Sequence, residues 1–195
     1  MNSRRTIVLA IAAALAVHGC SSPSPQGPLA GSAIGGAFSL IDQNGKTFTD
    51  ADLRGRYSLV YFGYTFCPDV CPLDVQKLSA GLAAFEKTDP GLGAKVVPVF
   101  VTVDPERDNP AALKAFAANF HPRLVALTGT RPQVDAAIKA YRVYAKRAGP
   151  EGKPDYLMDH MSITYLMGPD GKPIAFTGHD ATPEQITTEL KTYVR

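Results

Sequence analysis

The chain has 195 residues, 45% of them hydrophobic and 19% charged, with a mean hydropathy of -0.04, which suits one globular body with a sizeable core. The formal charge is +2, and residues 1–20 hold two arginines and no acid, so the remainder is neutral. A neutral body excludes an electrostatic case for nucleic acid, which needs a basic face.

Residues 1–20 follow a pattern of their own. Arg4 and Arg5 form a positive start, Ile7 to Val17 an uncharged apolar stretch, and small residues lead to Cys20. This is a secretory signal, too short for a comfortable membrane span and no part of the fold. Val17-His18-Gly19-Cys20 looks like a bacterial lipobox in its Gly before Cys and departs from one at His18. Processing there leaves Cys20 as a lipid-bearing N-terminus; cleavage nearby leaves a soluble periplasmic protein instead. Residues 21–36, rich in Ser, Pro, Gly and Ala, read as a flexible tether, and residues 37–195 as the folded domain.

Phe38 to Ile41 and Lys46 to Thr49 read as strands around Asp42-Gln43-Asn44-Gly45, a hairpin with Asn-Gly at its tip. Asp52 to Arg56 is a connecting turn. Tyr57 to Gly63 is aromatic and β-branched on both faces, as in a central strand covered on each side. The helix after Cys71 carries Leu73, Val75, Leu78, Leu82 and Phe85 at helical spacing and ends near Asp89-Pro90-Gly91. Lys95 to Asp104 is a second buried strand, with Pro98 marking an irregular ladder. Asp104 to Pro110 is a tight polar loop, from which Asn109 caps a helix that starts at Pro110 and runs to about Asn119. Leu124 to Leu127 is a brief strand, and Thr130 caps a helix over 131–140. Tyr141 to Lys146 fits a helix end or a strand, and Gly149 to Asp155 a loop. Met161 to Met167 and Pro173 to Thr177 form a second hairpin around Gly168-Pro169-Asp170-Gly171. Thr182-Pro183-Glu184-Gln185 then opens a last helix. This order predicts an α/β fold with a mixed central sheet and helices on both faces. It resembles the thioredoxin-like fold with an added N-terminal β-hairpin.

The chemistry concentrates in Phe66-Cys67-Pro68-Asp69-Val70-Cys71-Pro72. With Cys20 in the sorting signal, Cys67 and Cys71 are the domain's two thiols. A disulfide between them closes too short a loop to stabilise the fold much, though an exported pair oxidises readily. Strand hands over to helix here, and the unpaired N–H groups of a helix start favour thiolate over thiol. Either both cysteines are helical and share a face, or Cys67 leans over the helix start from a turn; both arrangements converge two sulfurs. Pro68 suits a first helical turn. Asp69 adds negative charge that opposes a depressed thiolate pKa and helps hold a cation. Two such thiols do redox exchange or bind a soft ion such as copper or zinc. A third ligand is then wanted. His18 lies in the signal, His121 reads as a surface or capping group, and His179 as a loop residue. His160, in Met158-Asp159-His160-Met161 at the mouth of a strand, can lie beside the cysteine turn. Met158 and Met161 are soft outer ligands or core filling.

Tyr61 to Pro72 is similar to the signature of the SCO/SenC/PrrC copper-protein family, as are Val103 to Asp108, Asp159-His160 with Tyr165-Leu166, and Pro169-Asp170-Gly171. The resemblance spans roughly residues 35–193 and implies a thioredoxin-like domain holding one copper ion, Cu(I) or Cu(II), through Cys67, Cys71 and His160. It implies a part in assembling the binuclear copper site of cytochrome c oxidase, with the oxidase copper-site subunit as partner and another periplasmic copper chaperone as a further one. Copper hand-over, reduction of that site's cysteines, or both would be the task; a thiol–disulfide oxidoreductase is the alternative. Asp104 to Asp108 becomes a family loop near the site that helps a partner dock. The family often has Ser or Thr after the histidine, where this chain has Met161. Ordinary thioredoxin activity is not implied, because thioredoxins use a two-residue spacer and a cis-proline facing the pair. Here Pro68-Asp69-Val70 fills the spacer, and Met161 stands at the proline's place.

Overall fold

A computed structural model describes residues 26–149 and 155–195. The signal, Cys20, residues 21–25 and most of the Gly149 to Asp155 loop lie outside the described residues.

The expected N-terminal hairpin is present as β1 (Ser39–Asp42) and β2 (Thr47–Thr49). A 3-10 turn over Asp50–Leu53 leads into β3 (Tyr57–Gly63), in which every residue is buried. Helix α1 (Val70–Thr88) follows, then the short α2 (Pro90–Gly93), in which Asp89 caps Leu92 N–H at 3.1 Å. α1 starts one residue before Cys71, so Pro68 precedes the N-cap Asp69, and it is Pro72 that occupies the first turn.

β4 (Val96–Thr102) is also buried throughout and pairs with β3 in parallel from Tyr57↔Val96 to Gly63↔Thr102. Pro98 sits opposite Leu59 inside this unbroken register. The expected irregularity is absent because the other neighbour of β4 pairs with it only from Val99 onward, which leaves one side of Pro98 without a ladder to lose. Helix α3 (Pro110–Ala117), β5 (Val125–Thr128) and α4 (Arg131–Ala140) come next, with Asn109 accepting from Ala112 N–H at 2.9 Å as the cap of α3. The ambiguous stretch after α4 is a turn and then a strand: Arg142 takes a φ of 55°, and β6 (Ala145–Ala148) begins beyond it. β6 pairs antiparallel with β7 (Leu157–His160) in a second, two-stranded sheet that the sequence pattern did not predict. β8 (Ile163–Met167) and β9 (Pro173–Gly178) form the second hairpin, and α5 (Pro183–Tyr193) is the last helix.

The main sheet runs β2-β1-β5-β4-β3-β8-β9. The parallel strands β3, β4 and β5 form its centre, and β1 and β8 flank them antiparallel. Helices cover both faces. Tyr61 of β3 reaches Asp74 of α1, and its neighbour across the ladder, Phe100, packs at a tilt on Phe116 of α3. Phe62 points to the opposite face and packs on Tyr141 at the end of α4. α1 and α5 approach closely at Gly81, where any Cβ would lie 2.8 Å from Ile186. Upstream of β1, Leu29 N–H donates to Ile174 on β9 and Gly35 N–H to Ala140, each at 3.0 Å. No helix among the described residues is long and apolar enough to cross a membrane.

Candidate metal centre

β3 ends at Gly63 in the middle of the sheet, and the next six residues carry the chain across its edge to α1. Cys67 lies in this turn and is not helical. Its N–H reaches the carbonyl of Tyr64 at 3.3 Å, and its sulfur accepts from the Cys71 N–H at 3.4 Å. Cys67 therefore leans over the helix start, the second of the two expected arrangements. Both thiols are free; Cys71 has no exposed surface and Cys67 is half-buried.

β8 pairs with β3, placing Thr164 opposite Tyr61, so the residues just before β8 arrive above the cysteine turn. His160 is among them, as the last residue of β7. Its Nε2 lies 3.2 Å from Cys71 Sγ, and one ligand atom from each of Cys67, Cys71 and His160 falls within 4.8 Å of the others. The Nδ1 of His160 lies 3.0 Å from the carbonyl of Met161. A carbonyl only accepts, so Nδ1 carries the proton and Nε2 turns its lone pair to the sulfurs. Asp159, adjacent in sequence, is exposed and is not the partner of the ring nitrogen. Burial lowers the His160 pKa against the opposing pull of the Met161 carbonyl, which favours the neutral imidazole that a metal needs.

Cys71 departs from the sequence expectation. Burial pushes its thiol pKa up, and the hydrogen bond from the Tyr64 backbone only partly offsets this. Desolvation of a sulfur with no exposed surface outweighs the helix start, so Cys71 rests as a thiol and ionises when a cation arrives to compensate the charge.

The packing around the three groups is dense. Tyr61 and Tyr64 meet the His160 ring edge-on, at centroid distances of 6.3 and 5.8 Å. A Cβ on Gly63 would lie 3.1 Å from Cys71 Sγ and 2.8 Å from the Tyr61 ring, so glycine is what admits the sulfur here. Behind the site, the Tyr61 hydroxyl donates to the buried Asp74 at 3.1 Å. The other oxygen of Asp74 lies 2.7 Å from His179 Nδ1, and Lys77 donates to the His179 carbonyl at 2.7 Å. His179 is thus a loop residue, as read from sequence, with a structural partner. Tyr61, Gly63 and Tyr64 belong to the Tyr61–Pro72 stretch, but their role as supports, like that of Asp74, is not legible in it; Gly63 alone carries a signal, as a glycine ending a strand immediately before the cysteine turn.

The Asp104 to Asp108 loop does internal work. Asp108 is fully buried and accepts from Thr65 N–H at 3.0 Å, Thr65 Oγ1 at 2.6 Å and Thr102 Oγ1 at 2.6 Å. It pins the cysteine turn to the end of β4. Asp104, also fully buried, accepts from the Tyr156 hydroxyl at 2.6 Å and pairs with Arg107, whose guanidinium lies 3.6 Å from the centroid of the Tyr156 ring. His121 is a capping group, accepting from Arg123 N–H at 3.2 Å, but it is buried and not at the surface, because Glu86 of α1 binds its far nitrogen at 3.2 Å. An open cavity of about 370 Å³ leads to the site, lined by Cys67, Tyr144, Leu157, His160 and Met161 among others.

A protein-family model described as SCO1/SenC matches residues 26–195. The chain belongs to the SCO1/SenC family. Protein SenC of Rhodobacter capsulatus, a curated SCO1/SenC relative, is 44% identical over 157 residues, covering 80% of this chain and 69% of that protein. Among solved structures, that of Bradyrhizobium japonicum ScoI with copper bound gives a TM-score of 0.74 at 44% identity, covering 83% of this chain and all of that one. The BsSco structure, described as revealing a disulfide switch in a member of the Sco family of cytochrome c oxidase assembly proteins, gives a TM-score of 0.61 at 28% identity. It covers 83% of this chain and 94% of that one. The thioredoxin-like architecture expected from sequence is the one these Sco structures share.

Proposed function

We propose that this protein takes up one copper ion through Cys67, Cys71 and His160 and delivers it to the binuclear copper site of cytochrome c oxidase. One observation carries the reading: two free thiols converge within 4.8 Å with an imidazole that lies 89 residues beyond Cys71 in the chain. The copper-bound ScoI relative and the assembly role printed for BsSco support it.

The donor set is soft and under-coordinated. Thiolate and imidazole suit Cu(I), and also Cu(II) with a further weak ligand. Each thiol gives up its proton as its sulfur binds, and His160 is already neutral and aimed. The half-buried Cys67 is the sulfur that an acceptor reaches first, so release proceeds by ligand exchange from that side. Oxidation of the two thiols to a disulfide removes both sulfur ligands and is the off state.

The secretory signal, the lipobox-like Cys20 and the Ser/Pro/Gly-rich residues 21–36 support a periplasmic domain on a lipid anchor. Mass spectrometry of the mature N-terminus tests that part: a lipidated Cys20 supports it, and an unmodified start beyond Cys20 removes the anchor. The oxidase copper-site subunit is the proposed acceptor, and a second periplasmic copper chaperone the donor.

Copper titration of the reduced full chain, followed by absorption and electron spin resonance, tests the binding. Wild type should take one copper, and Cys67→Ser, Cys71→Ser and His160→Ala should each weaken it, by about 10- to 100-fold or more. Unaltered affinity in His160→Ala removes that residue from the ligand set. A second reading, reduction of the client's cysteines, is favoured by the half-exposed Cys67 thiol beside Cys71. Failure of wild type to bind copper, with a reduction potential well below that of the compartment, would favour it over the first.

A further inference from the structure

Met161 stands where the site meets solvent. Its surface is 37% exposed, so it is not filling the core. Its backbone is fixed on both sides: the N–H donates to the Tyr144 carbonyl at 3.0 Å, and its own carbonyl holds His160 Nδ1 at 3.0 Å. The residue lines the same open cavity of about 370 Å³ as Cys67 and His160. Cys71 is shut behind with no exposed surface, and Met158, the other methionine of that cavity, is buried.

A thioether is a soft, neutral donor that suits Cu(I). Unlike a thiol, it has no proton to lose before it binds. We propose that the Met161 sulfur is an accessory ligand for Cu(I), used during entry and exit and vacated in the resting three-ligand site. The inference rests on the copper reading above and adds a route to it. On entry, the Met161 thioether displaces one ligand of the incoming donor, which departs with that donor, and the copper stays Cu(I). The Cys67 sulfur then replaces the thioether and releases its proton to solvent. Exit runs the same steps in reverse toward an acceptor's thiol or imidazole.

The competing role for Met161 is plain apolar surface beside the exposed Leu157 and Tyr144. Leucine keeps that surface and volume and removes only the sulfur, so Met161→Leu separates the two. The full chain, reduced and labelled with selenomethionine, is loaded with Cu(I) from a chelator. In Met161→Leu, loading should slow about tenfold, with one copper still bound at the end. In Cys67→Ser, where the competing exposed sulfur is gone, copper-edge X-ray absorption should reveal a copper–selenium path that disappears when Met161→Leu is added. An unchanged loading rate overturns the proposal, whether or not Cys67→Ser retains copper. So does a copper-loaded Cys67→Ser protein without a selenium neighbour, or a selenium path that survives Met161→Leu. Normal copper binding with either result sinks this inference alone; a wild type that takes up no copper sinks it together with the function it rests on.

Discussion

Gly63 is the smallest residue of the site and among the least replaceable. Gly63→Ala would bring a methyl to 3.1 Å from Cys71 Sγ and 2.8 Å from the Tyr61 ring, between a β-strand and a helix that are both packed. Overpacking of this kind costs about 1–3 kcal/mol. Urea unfolding should register that loss, and a copper competition assay a weaker site, because the sulfur must move. An alanine variant with wild-type stability and affinity would contradict the close approach. At this scale the three converging groups were legible, because Cys67 and Cys71 share one short motif and His160 sits at the mouth of a strand. Asp74 was not: its partners Tyr61 and His179 are 13 and 105 residues away, and no local pattern announces a bond across such a distance. The resting state of Cys71 was misread for a related reason. A helix start is visible in sequence, and the complete burial that overrides it is not.

One loop pins the cysteine turn through a buried carboxylate, and a separate strand pair delivers His160. In the Asp104 to Asp108 loop, Asp104 and Asp108 are fully buried and bonded inward, while Glu106 stays half-exposed and pairs with Arg131. Asp108→Ala would strip Thr65 N–H and the Thr65 and Thr102 hydroxyls of their acceptor at once. Each orphaned buried group costs about 1–3 kcal/mol, so denaturant unfolding should report at least the lower end of that loss, with faster copper release because the turn is freed. A value near zero would mean that water or another group replaces the carboxylate. The β6–β7 hairpin, which delivers His160, left little trace in the sequence. Ala145 to Ala148 is a four-residue run without apolar alternation, and its pairing with Leu157 to His160 bridges a Gly/Pro-rich stretch that reads only as loop. The longer β3 and β4 were legible as unbroken apolar runs, and α1 by its helical apolar period.

At the scale of the whole molecule, the order of elements could be read from the sequence and much of the sheet order could not. The hairpin of β1 and β2 joins β5 through Ile41↔Thr128 and Asp42↔Leu127, a non-local pairing that the pattern of either segment leaves open. The sheet also makes a pH-dependent prediction through its last helix. Burial pushes the Glu189 carboxyl of α5 up to about 7, from an ordinary value of 4.5. A raised carboxyl pKa means the folded state holds the proton more tightly than the unfolded one. Its contribution to stability is therefore complete below pH 4.5 and lost as pH rises through about 7. Glu189→Gln should raise the melting temperature relative to wild type well above pH 7 and leave it unchanged below pH 4.5; an equal shift at both ends would place the cause elsewhere than in this proton.

Copper-edge X-ray absorption of the reduced full chain, loaded with one equivalent, tests the central claim most directly. The arrangement of Cys67, Cys71 and His160 predicts a shell of two sulfurs and one imidazole nitrogen, and His160→Ala should erase the imidazole scattering while both sulfurs stay. A shell without sulfur, or imidazole scattering that persists in His160→Ala, would contradict it.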